Sequence, residues 1–358
     1  MPPAIHQFSA GFAEGDAIAN EARLLRDLFR RWGHASEIFT EARRVLPELR
    51  RDVRDIADAP GAIGPDDVAL LHLSIGSAVN DAFASLPARK AILYHNITPP
   101  EFFRAVQPQI AGQLARGREQ AARLAGAARV TMACSRYNAA ELETMGYRDV
   151  RVLPLLVDFA RVDARPDRAT MRRLDDGRVN VLFVGRCAPN KRIEDLLAAF
   201  HWFQRFVEPG SRLIHVGGWG GLERYHALLL TMQRRLGLAD VERPGSLRQD
   251  VLAACYRSAH VFLCMSEHEG VCLPVLEAMH AGVPVLAYAA AAVPETMDGA
   301  GVLFREKRFD LLAEMMGRLV RDEPFRAAIL DGQRRRMERY AAQDLESALR
   351  AHLAPLLG

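Results

Sequence analysis

Short apolar runs alternate along the chain with longer segments in which apolar residues recur at helical spacing, and this order occurs twice in 358 residues. The short runs have the length of β-strands, and the periodic segments have the length of amphipathic helices. Strands that alternate with helices form β-α-β units, which build parallel sheets. The pattern therefore predicts an α/β fold with two similar domains.

The individual elements follow from the same pattern. A first helix is expected to begin after Asp16, which can cap its free N–H groups, and to end at Gly33. The predicted strands of the first half are 5–8, 36–39, 68–73, 91–94, 130–133 and 150–153. The second half is predicted to have strands within 179–186, 212–218, 260–266 and 283–288, and helices over 193–206, over 225–236, after Pro274 and over 343–357.

A polar, arginine-rich stretch separates the two repeats of the pattern. We predict an N-terminal domain over 1–160, a linker over 161–178, a C-terminal domain over 179–340 and a final helix over 341–358. Two such domains would form a cleft, and open α/β sheets bind ligands outside the carboxyl ends of their strands. Functional residues are therefore expected on loops that follow strands.

Composition excludes several classes of function. Hydrophobic residues make up 49% and charged residues 25% of the chain, as in soluble globular proteins. A net charge of +3 is too small to indicate nucleic-acid binding. The N-terminal stretch lacks the basic flank and apolar run of a signal peptide, so we expect a cytoplasmic protein. The five cysteines contain no C-x-x-C pair, so neither a disulfide framework nor a metal site is predicted.

Two glutamates, Glu269 and Glu277, stand eight positions apart in "SEHEGVCLPVLEAM". Glu269 is expected on the loop after a strand and Glu277 in the first turn of a helix, because Pro274 suits a helix start. Backbone N–H groups at this helix start would bind an anion such as phosphate. The two carboxylates would then accept hydrogen bonds from sugar hydroxyls. The alternative is an ordinary helix acid and a solvated loop residue.

A second motif, "VLFVGRCAPNKRIEDLLAAF", places Arg186 directly after a strand and Lys191 just before a helix. Two cations at such a loop suit a diphosphate. The chain has only three lysines, which makes a chance lysine at this position less expected. The alternative is a surface loop with solvated charges. A P-loop is excluded, because no G-x-x-x-x-G-K-[ST] run occurs.

The two motifs, in this order, resemble those of retaining glycosyltransferases of family 4, which have the GT-B fold of two Rossmann-like domains facing each other across a cleft. The family signature of two glutamates separated by seven residues is matched by Glu269 and Glu277. A Gly-Arg-x-x-x-x-Lys segment is matched by Gly185, Arg186 and Lys191. The resemblance also implies that the C-terminal helix crosses back to pack on the N-terminal, acceptor-side domain.

The resemblance assigns roles in the C-terminal, nucleotide-sugar-binding domain residue by residue. Arg186 and Lys191 would hold the diphosphate and offset the charge that grows on it as the glycosidic bond breaks. Glu269 would contact the donor sugar, and Glu277 would bind the ribose. The other implied donor-binding residues are Gly185, Gly217, Gly270, Val271, Cys272 and Leu273.

In the N-terminal domain, His95 resembles the histidine that family members place close to the donor sugar and the acceptor. We expect it at an exposed strand end. The loop "SAGFAEGDA" resembles the family's glycine-rich loop and offers Gly11, Gly15 and Asp16 for phosphate or acceptor. Its two glycines are separated by three residues instead of being adjacent.

These features predict a metal-independent, retaining hexosyltransferase without a cofactor. It would move a sugar, mannose or glucose, from a UDP- or GDP-sugar to a saccharide or lipid-linked saccharide in surface-polysaccharide or glycolipid biosynthesis. The arginine-rich run at 334–339 is compatible with peripheral membrane association or with a solvated helix face. The alternatives are a nucleotide-sugar 2-epimerase of the same architecture and a non-catalytic nucleotide-sugar-binding module.

Overall fold

The computed structural model describes residues 2–358, apart from the side chain of Arg161. The chain forms two compact units. Unit 1 comprises Met1–Arg104, Pro108–Val157 and Asp344–Gly358, and unit 2 comprises Ala105–Gln107 and Asp158–Gln343. The segment predicted as a linker carries two short helices, Ala160–Asp163 and Arg168–Leu174, and belongs to unit 2.

Unit 1 is built on a seven-stranded sheet whose strand pairs are all parallel. Its strands are β1 (Ile5–Ser9), β2 (Ile38–Thr40), β3 (Arg54–Asp55), β4 (Val68–Leu73), β5 (Arg89–Tyr94), β6 (Val130–Ala133) and β7 (Arg151–Val152). They lie in the order β3-β2-β1-β4-β5-β6-β7. Each strand predicted in the first half is thus confirmed, with slightly different bounds.

Helices cover this sheet. Apart from the C-terminal helix described below, the α-helices of unit 1 are α1 (Ala17–Arg31), α2 (Ala59–Ala62), α3 (Ala78–Ser85), α4 (Glu101–Arg104), α5 (Pro108–Arg123) and α6 (Arg136–Thr144). The predicted N-cap of α1 is confirmed, because Oδ2 of Asp16 accepts a hydrogen bond of 2.8 Å from the N–H of Ala19. One face of α1 buries Leu25, Leu28 and Phe29, as the helical spacing of its apolar residues predicts.

Unit 2 has a six-stranded parallel sheet in the order β10-β9-β8-β11-β12-β13. Its strands are β8 (Val179–Val184), β9 (Ser211–Val216), β10 (Val241–Gly245), β11 (Val261–Cys264), β12 (Val285–Tyr288) and β13 (Val302–Phe304). Its helices are α7 (Ala160–Asp163), α8 (Arg168–Leu174), α9 (Ile193–Phe206), α10 (Glu223–Arg235), α11 (Gln249–Ser258), α12 (Leu273–His280), α13 (Val293–Met297), α14 (Phe309–Arg321) and α15 (Glu323–Ala341). The two units are the Rossmann-like domains of a GT-B fold.

The last helix, α16 (Leu345–Leu357), returns to unit 1 and packs against β5 and β6. Leu349, Leu353 and Leu356 on one of its faces are fully buried. Nε1 of Trp32 donates to the carboxylate of Glu346 over 2.8 Å, and Arg89 donates to the carbonyl of Leu356 over 2.9 Å. The predicted crossing of the C-terminal helix back to the first domain is therefore confirmed.

Each sheet changes its winding direction at one point. In unit 1 the chain runs outward in opposite directions from β1 and β4, and in unit 2 from β8 and β11. Ligands of doubly wound sheets bind at the carboxyl ends of the strands that flank such a point. Across residues 2–358, every helix is too short or too polar to cross a membrane.

Candidate functional site

The switch point of unit 2 brings together two residues from the two sequence motifs. Lys191 ends a short 3-10 turn, Pro189–Lys191, after β8, and Glu269 lies on the loop after β11. Nζ of Lys191 lies 2.5 Å from Oε2 of Glu269, and their side chains are 19% and 9% exposed. The interpretation of these residues as solvated surface charges is therefore wrong for this pair.

The electrostatic balance of this pair favours two charged groups. Burial opposes the positive charge of Lys191, but the facing carboxylate of Glu269 outweighs it, so the pKa of the Lys191 ammonium lies above its ordinary value. Lys191 is therefore a cation throughout the physiological pH range. An anionic ligand that reaches it would compete with Glu269 for the ammonium group and free the carboxylate to accept hydrogen bonds.

Asn190 ties the two loops together. Its Nδ2 donates to the carbonyl of His268 over 3.0 Å, and its carbonyl accepts from the N–H of Glu267 over 2.9 Å. Asn190 is itself only 5% exposed. These two hydrogen bonds join the residues that precede Lys191 and Glu269, and they fix the positions of Lys191 and Glu269 relative to each other.

The start of α12 lies at the same edge of the sheet. Cys272 caps the helix with a φ of +65°, in the left-handed region that favours glycine. Leu273 is the first helical residue, and Pro274 follows in the first turn, as predicted. The hydroxyl of Thr296 donates to the carbonyl of Val271, which holds the turn at Gly270 to Cys272 in place. The N-terminus of α12 gives this edge a partial positive charge.

Glu277 differs from the prediction in its position. It lies in the second turn of α12 instead of the first, because the helix begins at Leu273. Its side chain is 3% exposed, and its Oε2 accepts a hydrogen bond of 2.7 Å from the hydroxyl of Tyr256 on α11. The carboxylate is therefore held by a buried tyrosine, and the alternative of an ordinary dipole-stabilised helix acid does not apply.

Gly185 and Gly217 mark a close backbone approach at the ends of β8 and β9. A Cβ atom on Gly217 would lie 1.9 Å from the carbonyl oxygen of Gly185, so only glycine fits there. Arg186, next in the chain, is exposed, and its guanidinium donates to the carbonyl of Gly220 over 3.0 Å. Arg186 thus contacts the loop after β9, whereas Lys191 contacts the loop after β11.

His95 directly follows β5 in unit 1, as predicted, but its exposure was predicted wrongly. Its side chain is 4% exposed. Nε2 lies 2.9 Å from Nδ1 of His72, and Nδ1 lies 3.3 Å from Sγ of Cys134. The ring is buried because β4 and β6 flank β5 and turn these two side chains towards it. Burial and the neighbouring His72 lower the pKa of His95 well below its ordinary value.

The glycine-rich loop of unit 1 follows β1 and lines a cavity of about 250 Å³ with Ser74 and Ile75, which follow β4. Gly11 and Asp16 are among the lining residues. The carboxylate of Asp16 is the N-cap of α1, so its role in the structure is local. Gly15 has a φ of +73°, which explains the glycine at this turn.

Two groups of side chains have the composition of metal ligands. Ligand atoms of Glu21, His72 and His95 lie within 4.8 Å of one another, and so do those of a second group, Cys264, Glu269 and Cys272. In the second group, the ammonium of Lys191 already faces the carboxylate. The carboxylate of Glu269 thus already has a cationic partner.

Residues 169–344 match the family described as Glycosyl transferases group 1. This segment makes up just under half of the 358-residue chain. It contains both motifs, from Arg186 and Lys191 to Glu269 and Glu277, and nearly all of unit 2.

The curated proteins that are similar to this chain include mannosyltransferases. The chain is 40% identical over 114 residues to a GDP-mannose-dependent alpha-mannosyltransferase of Mycolicibacterium smegmatis, a match that covers 31% of this chain and 26% of the relative. It is 28% identical over 145 residues to the O-antigen chain mannosyltransferase B of Escherichia coli, covering 40% and 38%. The chain thus spans less than half the length of these relatives.

The whole fold has counterparts among solved structures. The crystal structure of Anabaena HepE in complex with UDP and glucose superposes with a TM-score of 0.75, covering 98% of this chain and 100% of that chain, at 16% identity. This likeness in fold includes unit 1 as well as the segment that matches the family. At this identity it concerns the fold alone.

The sequence analysis missed the residues that support the predicted ones: Asn190 and Tyr256 in unit 2, and Gln7, Glu21 and His72 in unit 1. His72 leaves a signal, because it is a polar residue inside an otherwise apolar strand and lies close to the carboxyl end of that strand. Gln7 does not stand out in this way, because its strand also contains His6 and Ser9. Tyr256 and Asn190 leave none, because their roles depend on contacts between distant segments.

Proposed function

We propose that the chain is a retaining glycosyltransferase that moves a sugar from a nucleoside-diphosphate sugar to a hydroxyl acceptor, with unit 2 binding the donor and unit 1 the acceptor. The observation that carries the proposal is the pairing of Lys191 with Glu269 at the switch point of unit 2. A cation poised beside a carboxylate suits a ligand that has a diphosphate next to a sugar.

In this proposal, Lys191, Arg186 and the start of α12 stabilise the charge that develops on the departing diphosphate. Glu269, released from Lys191, accepts hydrogen bonds from the donor sugar, and Glu277 binds the ribose. The acceptor hydroxyl attacks the anomeric carbon from the face that the diphosphate leaves, and a phosphate oxygen takes its proton. No metal ion is needed, since fixed cations supply the positive charge.

The relatives support a mannosyl donor. Both relatives described above are named as mannosyltransferases. We therefore propose GDP-mannose as the first donor to test and UDP-glucose as the second, with a saccharide or lipid-linked saccharide of a surface polysaccharide or glycolipid as the acceptor. The reaction would take place in the cytoplasm or at the inner face of the membrane.

Donor choice is tested by thermal stabilisation followed by transfer. GDP, UDP and ADP are screened for an increase in melting temperature, because a ligand that binds only the folded state stabilises it. The corresponding sugar nucleotides are then incubated with an acceptor library in the presence of EDTA. We expect one nucleotide to stabilise the protein and its sugar to be transferred with retained anomeric configuration. An inverted product, or activity that EDTA abolishes, contradicts the proposed mechanism.

The two alternatives give different outcomes in the same assay. A 2-epimerase converts the donor without any acceptor. A binding module is stabilised by a nucleotide but releases no sugar with any acceptor. The ion pair of Lys191 and Glu269 favours transfer over simple binding, because it places a charged group where the leaving group would need it.

A further inference from the structure

Four buried polar side chains meet at the carboxyl edge of the unit 1 sheet. Gln7 lies on β1, His72 on β4, His95 directly after β5, and Glu21 on α1. Gln7 and His72 are fully buried, Glu21 is 1% exposed, and the His95 side chain is 4% exposed. Buried polar groups are costly unless they are hydrogen-bonded, so the hydrogen bonds of Gln7, His72 and His95 and the position of Glu21 beside them determine the state of His95.

The hydrogen bonds fix one tautomer for each histidine. Nε2 of Gln7 donates to the carbonyl of Ala22 over 3.0 Å, so Oε1 of Gln7 is the acceptor that faces Nε2 of His72 at 2.8 Å. His72 therefore carries its proton on Nε2, and its Nδ1 accepts from Nε2 of His95 at 2.9 Å. A neutral His95 then keeps a lone pair on Nδ1.

The thiol of Cys134 and the carboxyl group of Glu21 both face that lone pair, with Sγ of Cys134 3.3 Å from Nδ1 of His95. Oε2 of Glu21 lies 3.6 Å from the same Nδ1 and, among residues 2–358, has no hydrogen-bond partner, whereas Oε1 accepts from the N–H of Leu156 over 3.3 Å. A carboxylate here would set an acceptor against the lone pair of His95. A neutral carboxyl group, by contrast, places no negative charge against that lone pair, and its proton can reach Nδ1 after a small movement of the side chain.

Burial keeps the whole cluster neutral. It raises the pKa of Glu21 to about 8, lowers the pKa of His72 to about 4 and, together with Glu21, raises the pKa of the Cys134 thiol well above its ordinary value. The titratable groups that face Glu21 from the packed strands are His72, His95 and Cys134. None of them carries a positive charge at pH 7 that would stabilise a carboxylate.

We propose that Gln7, His72 and Glu21 are positioning residues that hold His95 as a neutral imidazole in a single tautomer and orientation during sugar transfer, with Glu21 acting as a neutral carboxylic acid. This inference rests on the proposed function. Both ring nitrogens of His95 are committed to the cluster, so His95 does not remove the proton of the acceptor. In our proposal, His95 contributes to the site a ring in a fixed orientation and a backbone held in place beside it.

The pH dependence of kcat/KM tests the role of Glu21. Above about pH 8 the wild type ionises Glu21, and we expect kcat/KM to fall towards tenfold per pH unit. Glu21→Gln, a neutral isostere that can donate to Nδ1, should keep kcat/KM at pH 7 within roughly threefold of the wild type and should lack the fall. The matched control is Glu41→Gln, at a buried glutamate that pairs with Arg43 and Arg44 and should retain it. A Glu21→Gln profile that falls like the wild type overturns the proposal.

Imidazole 15N signals test the tautomers without any activity. Between pH 6 and 8 we expect neutral His72 and His95, each protonated on Nε2, with the His95 signals assigned by their loss in His95→Phe. A charged His95, or one protonated on Nδ1 at pH 7, overturns the proposal. So does one equivalent of zinc bound by Glu21, His72 and His95 whose removal lowers activity. If no pair of donor and acceptor supports sugar transfer, the proposed function is wrong. The 15N spectra do not depend on activity, so they test the protonation of His72 and His95 even in that case.

Discussion

The switch points of the two units handle buried polar groups in opposite ways. In unit 2, Lys191 and Glu269 are both charged and neutralise each other at 2.5 Å. In unit 1, Glu21, His72 and His95 are buried even more completely, and burial favours the uncharged form of each. One sheet edge thus holds a buried ion pair, and the other holds a neutral group of buried polar side chains.

The difference has a physical cause. A buried charge is tolerated when an opposite charge lies in contact with it, and otherwise the group becomes neutral. Unit 2 supplies a lysine beside its glutamate, whereas the groups that face Glu21 are two histidines and a thiol. We infer that unit 2 is built to stabilise a changing negative charge and unit 1 to hold a neutral hydroxyl acceptor near a neutral surface.

Loss of the cation in unit 2 should have the largest effect. Lys191→Ala removes the charge that faces the diphosphate in our proposal and leaves Glu269 without its partner. We expect kcat/KM for transfer to fall about a hundredfold or more, the scale of losing one preorganised charged group. Lys90→Ala serves as the control, because Lys90 lies in unit 1 and donates to the carbonyl of Leu86. Equal activity of both variants would remove the charge-based role of unit 2.

Crowding the backbone beneath the unit 2 site should have the next largest effect. Gly217→Ala places a Cβ against the carbonyl of Gly185 and should lower the free energy of unfolding by about 1–3 kcal/mol, as overpacking does, and weaken donor binding. Gly220→Ala is the matched control, because a Cβ there meets nothing within 4 Å. Urea titration and donor KM of both variants measure the effect. A stable, fully active Gly217→Ala protein would contradict the backbone approach.

Removal of one hydroxyl group should have a smaller effect. Tyr256→Phe deletes the hydrogen bond to Glu277 and should raise the donor KM by about tenfold, the scale of one hydrogen bond to a charged group, with little change in kcat. Tyr147→Phe is the control, since it deletes another buried tyrosine hydrogen bond, to the carbonyl of Ala121 in unit 1. If the two variants change KM alike, Glu277 has no particular role in donor binding.

The smallest effect concerns stability in unit 1. The pKa of Glu21 is raised to about 8 in the folded protein from an ordinary 4.5, so the folded state binds more protons than the unfolded state between these values. Stability from this group is lost as the pH rises through that window. Glu21→Gln should therefore melt higher than the wild type by roughly 3 °C at pH 8 and by less at pH 5. A difference that does not depend on pH would contradict a neutral Glu21.

The sequence predicted the parts of the fold that depend on local pattern. The strands β4 and β8 and the helix α9 are where they were expected. Burial on both faces of a strand leaves a continuous apolar run in the sequence, and burial on one face of a helix leaves apolar residues at helical spacing. The short edge strands β3 and β10 were not predicted, since their residues are only partly buried. Their pairing depends on neighbouring strands instead of on their own composition.

In the candidate site, as in the fold, the features that depend on local sequence were predicted and those that depend on distant contacts were not. Lys191 and Glu269 were singled out because they follow strands, and all three of Lys191, Glu269 and Glu277 were singled out because their spacing resembles the motifs of a known family. The burial of His95 was not, because it depends on His72 and Cys134 from the neighbouring strands. The support of Glu277 by Tyr256 joins residues 21 positions apart, a contact that neither segment signals alone.

In our proposal, the carboxyl edge of the unit 2 sheet recognises a diphosphate through Lys191. We would test this by calorimetric titration of the wild type and Lys191→Ala with a nucleoside diphosphate and with its monophosphate. The nucleobase is the one that stabilises the protein against thermal unfolding. We predict that the wild type binds the diphosphate at least about tenfold more tightly than the monophosphate, corresponding to about 1.4 kcal/mol, and that Lys191→Ala loses this preference. Equal affinity of the wild type for both nucleotides, or an unchanged preference in the variant, would contradict the account.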